Sequence, residues 1–134
     1  MIFICSMIIH LQLSLNCYDK IICPYNCSGH WELVVIFPHQ KTIMYLDPLG
    51  ENDKKKKSIL QSWKTFINRR FSAGLESSGP SKWKIETAPH CKQLDSVSCG
   101  VYVMKVGRSL LVLSVFVNPC ITKTNTKYNL TRTF

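Results

Sequence analysis

The stretch Gly29 to Gly50, GHWELVVIFPHQKTIMYLDPLG, decides the fold. Trp31 to Phe37 is rich in β-branched and aromatic residues and reads as a strand. Pro38-His39-Gln40-Lys41 reads as a turn, and Thr42 to Leu46 as a second strand, so the two predict a hairpin. Asp47-Pro48-Leu49-Gly50 ends the second strand with strong chain breakers. If the strands pair antiparallel, the start of the first lies beside the end of the second. His30 immediately precedes the first strand and Asp47 immediately follows the second, so they become neighbours at one sheet edge.

Upstream, Ile21-Ile22-Cys23 is a short apolar stretch that Pro24 is expected to stop. Downstream, Lys55 to Phe71 predicts an amphipathic helix with Ile59, Leu60, Trp63, Phe66 and Ile67 in one apolar stripe. The lysine run Lys54 to Lys57 opposes the dipole of a helix N-terminus, which puts the expected start nearer Ser58. That run reads as a solvated helix start rather than a nucleic-acid contact or an import signal. Ser72 to Ser81 is a Gly/Ser/Pro loop, Trp83 to Thr87 a short alternating strand, and Ala88 to Ser98 polar and irregular. Cys99 opens a segment through Val106 that reads as a helix. An apolar run follows from Leu110 to Val117, then a Thr- and Asn-rich tail. The expected organisation is an atypical apolar segment at 1–20, a folded core at 21–106 and an apolar segment with a polar tail at 107–134. The fold class is α+β, a small central sheet flanked by helices.

Composition sets wider bounds. The 134 residues suit one domain, and 46% hydrophobic against 19% charged residues excludes a disordered chain. The net charge of +9 favours acidic partners, but charge alone argues for nucleic acid, which is not expected as a partner. Seven cysteines, an odd number without regular spacing, point to a reducing compartment, nucleus or cytoplasm. Cys91 lies near enough in sequence to Cys99 to be a disulfide or redox partner. No Lys or Arg precedes the apolar N-terminus, and His10, Gln12 and Ser14 interrupt it. It therefore reads neither as a signal peptide nor as a membrane span, and no membrane association is expected. The glycosylation tripeptides Asn26-Cys27-Ser28 and Asn129-Leu130-Thr131 are read as chance. Cys23, Cys27 and His30 lack a fourth ligand at sensible spacing, so no metal and no cofactor are expected.

A thiol hydrolase needs a thiolate of depressed pKa, a base, a group to orient that base, and donors for an oxyanion. Such groups are distant in sequence and close in space. Cys99, followed by Gly100, sits at a predicted helix start, where amide donors favour a thiolate. Gln93 lies six residues earlier, in a loop able to fold back over it. Singly, each residue has an ordinary structural reading: a His beside a Trp, an Asp forming a turn before Pro, a Cys as a small buried hydrophobe. The joint pattern carries the chemistry.

Three segments carry a family resemblance: Gly29-His30-Trp31, Tyr45-Leu46-Asp47-Pro48-Leu49 and Gln93-Leu94-Asp95-Ser96-Val97-Ser98-Cys99-Gly100-Val101-Tyr102. In order and spacing they resemble the ubiquitin-like protease family, the SUMO/sentrin-specific cysteine peptidases of C48 type. His30 to Asp47 is seventeen positions and Gln93 to Cys99 is six. The resemblance spans Ile21 to Lys105. It implies a papain-like α+β fold, incomplete at both ends, and cleavage after the C-terminal glycine of a SUMO-like modifier. Cys99 would be the nucleophile, His30 the base and Asp47 its orienting partner. Gln93, with the Cys99 N–H, would serve the oxyanion. Trp31 would wall the channel for the modifier's glycine tail, Asp95 and Ser96 would shape the loop, and Gly100 would allow a tight turn into the helix. SUMO or another ubiquitin-like modifier is the implied partner, and oligomeric state is left open. Only twenty-nine residues precede His30, and the sequence departs from the family after Lys105. A truncated member is therefore expected, with an inactive module that binds a modifier as the alternative.

Overall fold

A computed structural model describes residues 14–116. The N-terminal apolar segment through residue 13, the tail at 117–134, Cys5, Cys120 and Asn129-Leu130-Thr131 lie outside the described residues. After a short 3-10 turn at Leu15–Cys17 come β1 (Ile21–Cys27), β2 (His30–Phe37), β3 (Thr42–Leu46) and helix α1 (Asp53–Ser72). A second 3-10 turn at Pro80–Lys82, strand β4 (Lys84–Glu86) and helix α2 (Cys99–Phe116) complete the order. The four strands form one sheet in the order β1-β2-β3-β4. The first three are antiparallel and β4 runs parallel to β3, which places α1 in the crossover between them.

The predicted hairpin is β2–β3, in a register that pairs Leu33 with Leu46 and Phe37 with Thr42. Pro24, expected to end the first apolar stretch, instead lies within β1 opposite Leu33. β1 is an edge strand, and a proline there can leave its missing N–H on the open side of the sheet. The strand runs on to Cys27 and turns through Ser28 and Gly29, both at positive φ (53° and 85°). The Asn26 side chain accepts the Gly29 N–H at 3.0 Å, so Asn26-Cys27-Ser28 belongs to a two-residue hairpin that sequence reading missed.

Helix α1 also begins earlier than expected, at Asp53 rather than near Ser58. Asn52 caps it: its Oδ1 accepts the N–H groups of Lys54 and Lys55 at 2.8 and 3.3 Å. Asp53 in the first turn pairs with Lys56 at 2.8 Å, and Lys55 reaches inward to Glu32. The lysine run is thus compensated locally. Helix α2 continues past Val106, where the sequence reading ended its helix, through the apolar run to Phe116.

Both sheet faces are covered, so β2 and β3 read as nearly continuous apolar runs rather than as alternating ones. On one face Cys23, Tyr25, Val34, Ile36, Ile43 and Tyr45 pack against Ile59, Trp63, Phe66 and Ile67 of α1. Trp83 closes this layer with its ring 5.0 Å from that of Trp63. On the other face Leu33, Val35, Phe37, Met44 and Leu46 pack against Val103, Val106 and Leu110 of α2. The sheet is therefore a rigid partition, and the helix that starts at Cys99 is seated directly on it. Among the described residues no helix is long and apolar enough to cross a membrane.

Candidate active site

His30 is the first residue of β2, and Asp47 follows the last residue of β3. Antiparallel pairing brings their ends together, and His30 Nε2 lies 2.7 Å from Asp47 Oδ1. The buried Asp47 carboxylate also accepts the Leu49 N–H at 2.8 Å on Oδ1 and faces the Tyr45 hydroxyl at 3.3 Å on Oδ2. Its backbone is held equally firmly. The Asp47 N–H donates to Glu51 Oε1 at 3.2 Å, and its carbonyl lies within 3.3 Å of Lys92 Nζ and 3.1 Å of His90 Nε2.

The Gln93 N–H donates to the Pro48 carbonyl at 2.9 Å, which ties its segment to the Asp47 turn. Gln93 is buried, and its side-chain Nε2 donates to the Asp95 carbonyl at 2.6 Å, while Oε1 is buried without a partner. An amide nitrogen carries two protons, so one donor remains for a reacting oxygen. Asp95 shapes the turn into α2 by accepting the N–H groups of Val97 and Ser98 and the Ser98 hydroxyl, at 2.8, 2.7 and 2.6 Å. Ser96 is exposed.

Cys99 opens α2 and is 5% exposed. Its thiol pKa is lowered from the ordinary value: a backbone N–H from Trp31 does most, burial opposes, and His30 and the Gly100 N–H add to the lowering. For His30 burial pulls the pKa down, but hydrogen bonds and charge from Asp47 and Cys99 outweigh it, and the net shift is upward. The two shifts run in the directions that favour a thiolate beside an imidazolium.

Trp31 is 41% exposed and borders the nucleophile. Gly100 has no left-handed backbone among the described residues, so the tight turn expected there is not its purpose. A Cβ at Gly100 would stand 3.3 Å from Trp31 Cδ1, and glycine is what lets the helix approach the indole.

Sequence reading missed a second set of residues behind the pair. Glu32 is 1% exposed and accepts hydrogen bonds from the Tyr25 hydroxyl, the Tyr45 hydroxyl at 3.0 Å and Lys55 Nζ. The signal available was a lone acid inside an apolar strand, two residues from His30 and so on its face. Ligand atoms of His30, Glu32 and Asp47 lie within 4.8 Å of one another, whereas Cys23 and Cys27 join no such cluster among the described residues. Lysine, tyrosine and amide donors already occupy the Glu32 and Asp47 oxygens, so the trio is a hydrogen-bond network. Cys91, like Cys17, Cys23, Cys27 and Cys99, is a free thiol.

The fold is matched by comparison with known proteins. The family model of the Ulp1 protease family, C-terminal catalytic domain, matches residues 12–126. The yeast C-terminal Ulp1 protease domain in complex with Smt3, the yeast ortholog of SUMO, superposes with a TM-score of 0.62 at 21% identity. That match covers 89% of this chain and 51% of that one. The SUMO protease Ulp1 with its catalytic cysteine oxidised to a sulfonic acid gives 0.60 at 22%, covering 87% and 51%. The Chaetomium thermophilum Ulp1-like SUMO protease catalytic domain gives 0.57 at 22%, covering 72% and 36%. At these identities the solved structures speak for the fold. The chain spans about half the length of the first of them. No curated protein matches the sequence.

Proposed function

Because the chain belongs to the Ulp1 protease family, C-terminal catalytic domain, we propose that it is a cysteine peptidase acting after the C-terminal glycine of a SUMO-like modifier. The observation that carries the reading is the Cys99–His30–Asp47 chain, with His30 Nε2 2.7 Å from Asp47 and the Cys99 thiol pKa held down. The Cys99 thiolate attacks the glycine carbonyl carbon, a C–S bond forms, and the carbonyl electron pair moves to oxygen. The Cys99 N–H and the free Gln93 N–H meet that oxyanion. Its collapse breaks the C–N bond, and the His30 imidazolium protonates the leaving amine. A water molecule then loses a proton to His30 and hydrolyses the thioester, which returns Cys99. Asp47 keeps the His30 ring in the required tautomer and orientation throughout. Trp31, beside Cys99, would flank the entering glycine tail.

The modifier class is extended to this chain from a neighbour whose bound partner is Smt3. The five free cysteines among the described residues support placing the reaction in the nucleus or cytoplasm.

The test is a SUMO carrying an electrophile in place of its terminal carboxylate. We expect a covalent adduct at Cys99, absent in Cys99→Ala. Binding without adduct formation would overturn the peptidase reading and leave a module that recognises the modifier without cleaving it.

A further inference from the structure

The hydrogen bonds behind His30 and Asp47 lead to a buried acid for which the chemistry above has no use. Glu32 stands on β2 two residues from His30. The register that pairs Leu33 with Leu46 sets Asp47 opposite it, one step beyond the ladder. Tyr45 joins the two carboxylates, its hydroxyl 3.0 Å from Glu32 Oε2 and 3.3 Å from Asp47 Oδ2. A phenol hydroxyl has one proton and serves one carboxylate at a time. The shorter contact is to Glu32.

We infer that Glu32 is a positioning residue for the His30–Asp47 pair: by drawing the single Tyr45 proton, it keeps the Asp47 charge committed to the His30 imidazolium. The inference rests on the peptidase reading. Lys55 and Tyr25 make a buried Glu32 charge tolerable by donating to it as well. Burial first, and then the Glu32 charge, push Tyr25 and Tyr45 far above the ordinary phenol range, so both stay protonated donors. The groups that face the pair are Tyr25 and Cys27 from β1, Tyr45 from β3, Lys55 from α1 and Cys99 from α2. Glu51, His90 and Lys92 approach the Asp47 backbone.

Two substitutions separate the roles of Glu32 and Tyr45. Glu32→Gln removes a negative charge near His30 and releases the Tyr45 proton to Asp47. Both changes weaken the hold on the imidazolium, so His30 loses its proton at lower pH. Tyr45→Phe takes a donor from Glu32 and none from Asp47, and it leaves the Glu32 charge in place, so His30 keeps its proton to the same pH as in the wild type. Simple loosening of the structure would move both variants in the same direction.

The experiment is the pH dependence of Cys99 alkylation by iodoacetamide on the whole chain, followed by mass spectrometry of the Cys99 peptide. The upper inflection marks loss of the His30 proton beside the thiolate. It should fall by roughly one pH unit in Glu32→Gln and stay at the wild-type position in Tyr45→Phe. A wild-type upper inflection that Glu32→Gln does not lower, or that Tyr45→Phe moves in either direction, overturns the role of Glu32 and leaves the peptidase reading standing. A wild-type Cys99 that titrates as an ordinary thiol overturns the peptidase reading, and this inference with it. If Glu32→Gln loses its fold by circular dichroism, Glu32→Asp decides: it keeps the charge and withdraws it from the Tyr45 hydroxyl, so a fall supports the inference and no change or a rise overturns it.

Discussion

Gly100 shows how closely the residues of this site constrain one another. The Trp31 backbone N–H does most to lower the Cys99 thiol pKa, and the Trp31 indole lies against Gly100. Gly100→Ala gains about 1 kcal/mol of helix propensity against a contact at 3.3 Å that a partly exposed indole can relieve. Its stability should stay within about 1 kcal/mol of the wild type. Gly100→Val cannot be relieved so easily and should displace Trp31 and its N–H. Labelling by the SUMO electrophile should then slow by at least roughly tenfold, with a shift in tryptophan emission. Unchanged labelling would mean that the Trp31 backbone does not serve the thiolate. At this scale the sequence was readable where chain order alone sets proximity: His30 and Asp47 meet because a hairpin brings its two ends together. Glu32 was not readable, because Tyr25, Tyr45 and Lys55 reach it from three different elements.

Periodicity and end signals at the element scale did not always agree. The stripe Ile59, Trp63, Phe66 and Ile67 is buried as predicted, with Leu60 partly buried beside it. The lysine run argues for a later start of α1, and the Asn52 cap overrides it. Asn52 satisfies two amides that would otherwise be orphaned, and Asp53 and Glu32 take two of the lysines. Asn52→Ala should therefore cost about 1 kcal/mol in denaturant unfolding. A change near zero would mean that the helix starts later in solution, as the lysine run alone suggested. Pro24 teaches the same lesson for strands. A proline breaks a central strand but is admitted on an edge, and edge position is a property of the sheet rather than of the segment.

Over the whole molecule the two faces of the sheet divide the work. The α1 layer is closed by Trp63, Phe66 and Trp83, whereas α2 carries an exposed row that includes Val101, Met104, Leu111 and Val112. Met104 and Leu111 are two turns apart on one side of that helix. Replacing both by Lys should reduce binding of a hydrophobic dye and change unfolding stability by no more than about 0.5 kcal/mol. A larger loss would show that the row is packed. The sequence by itself determined the α+β class, the β2–β3 hairpin, the apolar stripe of α1 and the helix start at Cys99. These follow from residue type and period over a few neighbours. Only the tertiary structure decided the parallel placement of β4, the extension of β1 through Pro24, the reason for Gly100 and the placing of one tyrosine hydroxyl between two acids. Each of these depends on which distant segments meet, and local patterns do not encode that.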